Sequence, residues 1–204
     1  GRWWSVDAKA GGGGSGGSID VQAASLRGAG LVAARGGNGF YSGGYKSGSG
    51  GGGRMAVRAP AGISAEVDLQ VQGGTASTAC AGSSGTVFTS TDATGERIEV
   101  RNAGATSSVT PWPADAPSTL ALAVIGTHAR VAINDTAVLM GARVRIHETA
   151  ELSPLRAFNG TLPESEARLV RIRARQIDLY GKVVAPGPNS TVSIGADVVN
   201  MKRV

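Results

Sequence analysis

The sequence predicts an all-β chain: a right-handed parallel β-helix (solenoid) segment with glycine-rich turns. Three observations carry that reading. Glycine clusters alternate with short apolar strands of period two, one such unit recurs 36 residues further on, and helix signals are nearly wanting.

The first of these is concentrated between Gly11 and Gly53, which holds 18 of the 32 glycines. A flexible linker would show glycine and serine alone. Here Ile19, Val21 and Ala23 fall on one face of Ser18–Ala23, the strand signature, and Leu26 and Leu31–Ala33 follow. The string GGSIDV from Gly16 to Val21 then aligns with GGRMAV from Gly52 to Val57, and SGTVF from Ser84 to Phe88 is a further relative. Self-similarity at a few tens of residues marks a solenoid. Glycine is expected to supply positive backbone angles at sharp corners and to let neighbouring coils approach closely.

From about Ser118 the glycine clusters stop but short strands continue. They read as Thr119–Val124, Ala129–Ile133, Ala142–His147, Leu169–Ala174, Gln176–Tyr180 and Thr191–Ile194. Val144 and Ile146 point one way, Arg143, Arg145 and His147 the other. Ile172 and Ala174 oppose Arg171, Arg173 and Arg175 in the same manner. The 28-residue offset between these two runs suits equivalent positions on different coils. Pro163–Arg168, behind Thr161, is the best helix candidate and gives a turn or two. Pro111, Pro113 and Pro117 make 110–117 a break that excludes regular ladders. The organisation is therefore glycine-rich coils over 1–109, the proline-rich break, and continuing strand coils over 118–204.

The composition agrees with a folded chain. Hydrophobic residues make up 41% and charged residues 17%, and the net charge is +5, whereas disorder couples low hydrophobicity with high net charge. The basic excess favours acidic polymers in general without selecting among them. The single cysteine, Cys80, is a buried small residue, a free thiol, or half of a bridge to a longer chain. The longest apolar run is Leu120–Ile125, far short of the ~20 residues of a membrane helix. The start at Gly1-Arg2-Trp3-Trp4 lacks methionine, so the expectation is a missing or processed beginning.

Six strings carry a resemblance: GGGGSGGSI from Gly11 to Ile19, LRGAGL from Leu26 to Leu31, ARGGNG from Ala34 to Gly39, GGGGRMAV from Gly50 to Val57, GGTASTAC from Gly73 to Cys80, and SGTVF from Ser84 to Phe88. They resemble glycine-rich repeats of large secreted or surface proteins of plants, algae and oomycetes, and are similar to bacterial autotransporter-like surface proteins. The resemblance covers under half of the chain. It implies a parallel β-helix with an extracellular structural or adhesive role, and carries over no catalytic residue. Three sequons, at Asn134, Asn159 and Asn189, point separately toward a eukaryotic secretory protein.

Catalytic and cofactor motifs fail on context. Gly28 to Ala33 fits G-x-G-x-x-A, but Gly36, Gly37 and Gly39 leave no room for the helix that must face a pyrophosphate. Gly13–Gly17 matches a nucleophile elbow only as a glycine tract does, and neither His128 nor His147 stands in a triad context. Lys46-Ser47 lacks the preceding glycine of a phosphate loop, having Tyr45 there. There is no metal-ligand spacing and no cofactor is expected. A glycan-active lyase or hydrolase on the same scaffold would need two facing carboxylates. No short segment concentrates two on one strand face except Glu66/Asp68 and Glu164/Glu166, and both read more simply as solvated edges.

One patch remains. Arg143, Arg145, Arg168, Arg171, Arg173 and Arg175 form either the wet face of a sheet or a basic stripe for acidic glycans or a partner protein. Aromatics interleaved for nucleic-acid stacking are missing. The expectation is thus a non-catalytic structural or adhesive segment of a larger extracellular or cell-surface protein. Its partners are flanking segments of the same polypeptide or neighbouring protomers, with acidic glycans as ligand class. The alternative is a polysaccharide-active enzyme. Coils bury their apolar faces only against neighbours, so terminal coils should be open edges.

Overall fold

The structure, a computed structural model, describes residues 11–42, 45–75, 81–102, 108–113, 116–133, 138–155, 168–184 and 190–202. Every regular element in it is a strand. The first half contains β1 (Ser18–Gln22), β2 (Gly30–Ala33), β3 (Tyr41–Ser42), β4 (Tyr45–Lys46), β5 (Arg54–Arg58), β6 (Val67–Gln70) and β7 (Gly85–Thr91). The second contains β8 (Gly95–Arg101), β9 (Thr110–Pro111), β10 (Leu122–Ile125), β11 (Arg130–Ile133), β12 (Val138–Ile146), β13 (Glu151–Pro154), β14 (Arg168–Leu179), β15 (Lys182–Val183) and β16 (Ser190–Met201).

One eight-stranded sheet runs the length of the described chain, in the order β1-β5-β7-β8-β10-β12-β14-β16. Smaller sheets carry the return segments: β2-β6 in the first half and β15-β13-β11-β9 in the second. All ladders are parallel except the β3–β4 hairpin and the pair β7–β8. Ser18 faces Arg54 and Val21 faces Val57, the register that the 36-residue repeat predicts. Arg54 then faces Thr86, which brings in the third relative, Ser84–Phe88.

The β7–β8 hairpin reverses the sheet. Strands β1, β5 and β7 run one way and the five that follow run the other. The buried side changes at the same place. Cross-strand partners share a face, and Val87 faces Glu99 while Phe88 faces Ile98. Met55, Val57 and Val87 pack with Leu69 and Val71 of the first half's return segments. Ile98, Val100, Ile125 and Ile146, on the opposite face, pack with Val131 and Leu152. The first half therefore stands on one side of the common sheet and the second half on the other.

In the second half the strands lengthen and turn a corner. Ladder partners run Val138–Gly141 against Arg171–Ala174, then resume at Arg143 against Gln176. Val170 and Ile172 are fully buried before the corner and Ile177 after it, so the inward alternation shifts by one residue there. This corrects the 28-residue alignment. Arg171 lies opposite Val138 and Arg143 opposite Gln176, which puts the two arginine runs on different sides of the corner. The proline segment is also more ordered than expected. Thr110–Pro111 pairs with Val131–Ala132 as the edge strand of its sheet, where a proline costs no ladder bond. Trp112 beside it is buried in the core.

The glycine clusters form neither corners nor ordinary strands. Among the described residues, positive φ occurs only at Gly28, Gly62, Gly95 and His128, outside the clusters. Their bonds to a given neighbour instead recur every third residue. Gly13 and Gly16 donate to Gly48 and Gly51, and Gly36 and Gly39 to Gln72 and Thr75. Gly50 and Gly53 donate to Gly37 and Ala34. Threefold repetition is the geometry of polyproline II, whose backbone groups all point outward to neighbours. Segment 48–53 bonds to 13–16 and 34–37 in this way, and also to Gly74, Ser83 and Thr86, so extended backbones pack around it as a bundle. A Cβ on Gly50 would stand 1.8 Å from the Gly14 carbonyl oxygen, and one on Gly82 1.9 Å from that of Gly50.

Candidate functional site

The two arginines after the corner do not form a free basic stripe. Residues 143 and 145 share a face of β12, and in-register pairing sets Gln176 and Asp178 beside them on β14 and Asn200 beyond on β16. Asp178 collects all of these groups. Arg143 Nε donates to its Oδ2 at 2.7 Å, with Nη2 at 2.5 Å. Arg145 Nε lies 3.4 Å from the same oxygen. Gln176 Nε2 and Asn200 Nδ2 both donate to Oδ1 at 2.9 Å. The carboxylate is 0% exposed although it sits on the outer face, because these side chains roof it over. Burial alone would raise its pKa. The hydrogen bonds from Asn200, Gln176 and Arg143, with the charge of Arg143, outweigh that and bring it to about 2. A carboxylate so committed is a tie between three strands and is unsuited to proton transfer near neutrality.

Arg171, Arg173 and Arg175 lie before or at the corner, with Arg173 and Arg175 exposed. These two line a shallow groove with Gly141, Gly195 and Asp197. Arg168 begins β14. Of the stripe of six, Arg143 and Arg145 are thus spent on Asp178, while Arg173 and Arg175 keep their charge at the surface. The sequons at Asn134, Asn159 and Asn189, together with Cys80 and Glu164/Glu166, lie outside the described residues. Glu66 and Asp68 are exposed, and Asp68 accepts a hydrogen bond from Gln70.

The change of side at β7–β8 creates two clefts that pattern reading missed. Each half's bare sheet face meets the flank of the other half. On one face, Ala56 and Phe88 form a floor beneath Pro113 and Pro117, with Asp20 and Arg58 at the rim. Arg58 bonds Asp20 at 2.9 Å and its guanidinium stands 5.3 Å from the Phe88 ring centroid, so this aromatic face is already covered. On the opposite face, Thr89, Arg97, Glu99 and Arg101 meet Ile63 and Leu69. Arg101 donates to the Leu69 carbonyl at 3.1 Å and to Glu99 at 2.8 Å, tying the second half's first strand to the first half. Only knowledge of the reversal could have located these clefts in the sequence.

Among the described residues, no group of three or more His, Cys, Asp or Glu side chains is placed to hold a metal ion. No described helix is long and apolar enough to cross a membrane. No family model, curated protein or solved structure matches the chain.

Proposed function

We propose that the chain is a non-catalytic structural or adhesive module of a large extracellular or cell-surface protein, its coils wound as right-handed parallel β-helices. The observation that carries this reading is where the charged side chains are spent. Of the six ion pairs among the described residues, five join one coil to another: Asp20–Arg58, Arg130–Glu151, Arg143–Asp178, Arg145–Asp178 and Glu148–Lys202. A hydrolytic site keeps two carboxylates facing a shared substrate; here Asp20, Glu148, Glu151 and Asp178 instead face arginine or lysine of another segment.

Handedness follows from a general rule. Parallel strands of one sheet joined by a crossover on one side are right-handed in about 98% of cases. At β7–β8 both the strand direction and the side of the crossover reverse. Two reversals cancel, so both halves wind with the same hand. The glycine-rich strings add the resemblance to surface β-helix proteins, and the sequons at Asn134, Asn159 and Asn189 suit export through a secretory pathway. Arg171, Arg173 and Arg175 are the groups that would meet an acidic glycan.

The test is retention and turnover on immobilised acidic polysaccharides. The expected result is retention that weakens as salt rises and on replacing those three arginines by serine, with no release of sugar. Saturable release of product that disappears on substituting a carboxylate would overturn the reading.

A further inference from the structure

Of the two clefts at the junction of the halves, the one that holds Arg97 is charged. It encloses about 370 Å³, toward the lower end of the roughly 300–1,000 Å³ of small-ligand sites. Residues 62–65 of the first half close one side. The other side is a face of β7 and β8, where the antiparallel register sets Thr89 beside Arg97 and alternation puts Arg97, Glu99 and Arg101 in a row. Leu69 and Val124, both buried, supply apolar lining. The charges of the row do not cancel. Glu99 Oε2 accepts from Arg101 Nη2 at 2.8 Å, and Arg101 Nη1 is held by the Leu69 carbonyl. Arg97 is half-buried, and among the described residues its side chain has neither an ion pair nor a hydrogen bond. The same face continues onto β12 and β14 with Arg143, Arg145 and Asp178, so it carries four arginines against two carboxylates.

We infer that this cleft binds the acidic end of a carbohydrate: a terminal sugar acid whose carboxylate pairs with Arg97 and whose hydroxyls meet Thr89 and Oε1 of Glu99. The uncompensated charge of Arg97 calls for an anion. The volume suits a single ring better than a run of them. No aromatic side chain lines the cleft for a nucleobase to stack on. A plain aliphatic acid would cover the Thr89 hydroxyl and Glu99 Oε1 without satisfying them, which costs binding energy. An inorganic anion would leave Leu69 and Val124 without a partner. A sugar acid answers all three features, with its carboxylate, its hydroxyls and the C–H face of its ring.

The inference deepens the acidic-glycan reading and rests on it for the ligand class, at a site separate from Arg171, Arg173 and Arg175. The experiment titrates the 204-residue chain with methyl glucuronoside, and with methyl glucoside as the uncharged control, followed by amide chemical shifts. The expected result is one saturable site, with the largest shifts in 62–65 and 89–101. The glucoside should bind at least about tenfold more weakly, because it lacks the charged hydrogen bond. Arg97→Gln should remove that discrimination while its circular dichroism stays β-rich, since the side chain it replaces holds nothing in the fold. Thr89→Val should weaken both sugars alike. Arg171→Ser/Arg173→Ser/Arg175→Ser should lower retention on polysaccharide and leave this titration unchanged, so the two sites fail separately. Turnover of polysaccharide would overturn the scaffold reading and leave the cleft assignment standing. The assignment would be overturned by absence of saturable binding, by shifts centred elsewhere, by an Arg97→Gln variant as selective as the wild type, or by inorganic sulfate binding as tightly as the glucuronoside.

Discussion

The two halves of this molecule hold their strands together by opposite means. In the second, seventeen buried hydrophobic residues, all aliphatic but Trp112, form one cluster among the described residues; in the first the corresponding cluster has seven. Where the first half lacks side chains to bury, it brings backbones into contact and bonds them in several directions at once. Apolar burial is worth roughly 25 cal/mol per Å² and tolerates small adjustments. A backbone bundle gains little from burial and depends on hydrogen bonds that survive only while water and side chains are kept out. The first half should therefore be the less forgiving of added atoms, and the second the less forgiving of atoms removed.

The sharpest way to break that contrast is to add one methyl group. Gly50→Ala places a carbon 1.8 Å from the carbonyl oxygen of Gly14, against backbone that neighbouring strands hold. The expected cost is at least about 3 kcal/mol, at the upper end for overpacking. Hydrogen exchange should lose protection across 11–75 while β12 and β14 stay protected. A cost below about 1 kcal/mol would mean that the bundle is loose.

Removing atoms from the second half tests the other side. Ile177 is fully buried between coils and packs in the larger cluster. Ile177→Ala should cost about 2–4 kcal/mol in urea unfolding, from lost transfer energy and a residual cavity. Val57→Ala, also at a fully buried position but in the smaller cluster, should cost less. Equal costs would show that the aliphatic contrast has no energetic consequence.

Strands in both halves were legible through period two and the 36-residue repeat, and the register Ser18–Arg54 honours them, but β6, β8, β13 and β15 went unread. The bundle was legible only in part. Glycine predicted close approach correctly and positive φ at the turns of Gly28, Gly62 and Gly95, but not in the dense clusters: at Gly50 the side chain is excluded by a neighbour's carbonyl, not by its own backbone angles. Asp178 was invisible because it lies 35 residues from Arg143, and the 33-residue register that brings them together is not the 28-residue offset that the arginine runs suggest. The reversal at β7–β8 was hidden for a similar reason. Val87 and Ile98 each sit in a plain alternating strand, and nothing local tells which side of the sheet their return segments will take.

A smaller effect separates the halves by pH. In the folded chain Asp178 titrates at about 2, against an ordinary carboxylate value of 3.8. Its folded pKa is depressed, so its contribution is complete above about pH 4 and is lost as pH falls from there toward 2. The arginines that hold it are 34–40% exposed, and solvent screening reduces the contribution to about 1 kcal/mol. Asp178→Asn should lower stability by about that amount at pH 7 and flatten the acid limb of the second half's unfolding. An acid limb unchanged in the variant would remove Asp178 as the tie between β12, β14 and β16.

The smallest effect is the most discriminating for the bundle. Gly14 and Gly50 touch, yet the contact is one-directional. A Cβ on Gly50 points at the Gly14 carbonyl, whereas a Cβ on Gly14 meets nothing within 4 Å, and the φ of Gly14 is not positive. If glycine were needed for flexibility, both positions would resist substitution. If it is needed only where a Cβ would strike backbone, Gly14→Ala should be harmless. Alanine also narrows the unfolded ensemble, which at a compatible site stabilises by about 0.4–1 kcal/mol. Gly14→Ala is therefore expected to leave the urea midpoint unchanged or slightly raised, beside a Gly50→Ala variant that loses the first half. A matching loss in both would show that the threefold bonding of Gly13 and Gly16 to Gly48 and Gly51 requires a freedom at residue 14 that alanine lacks.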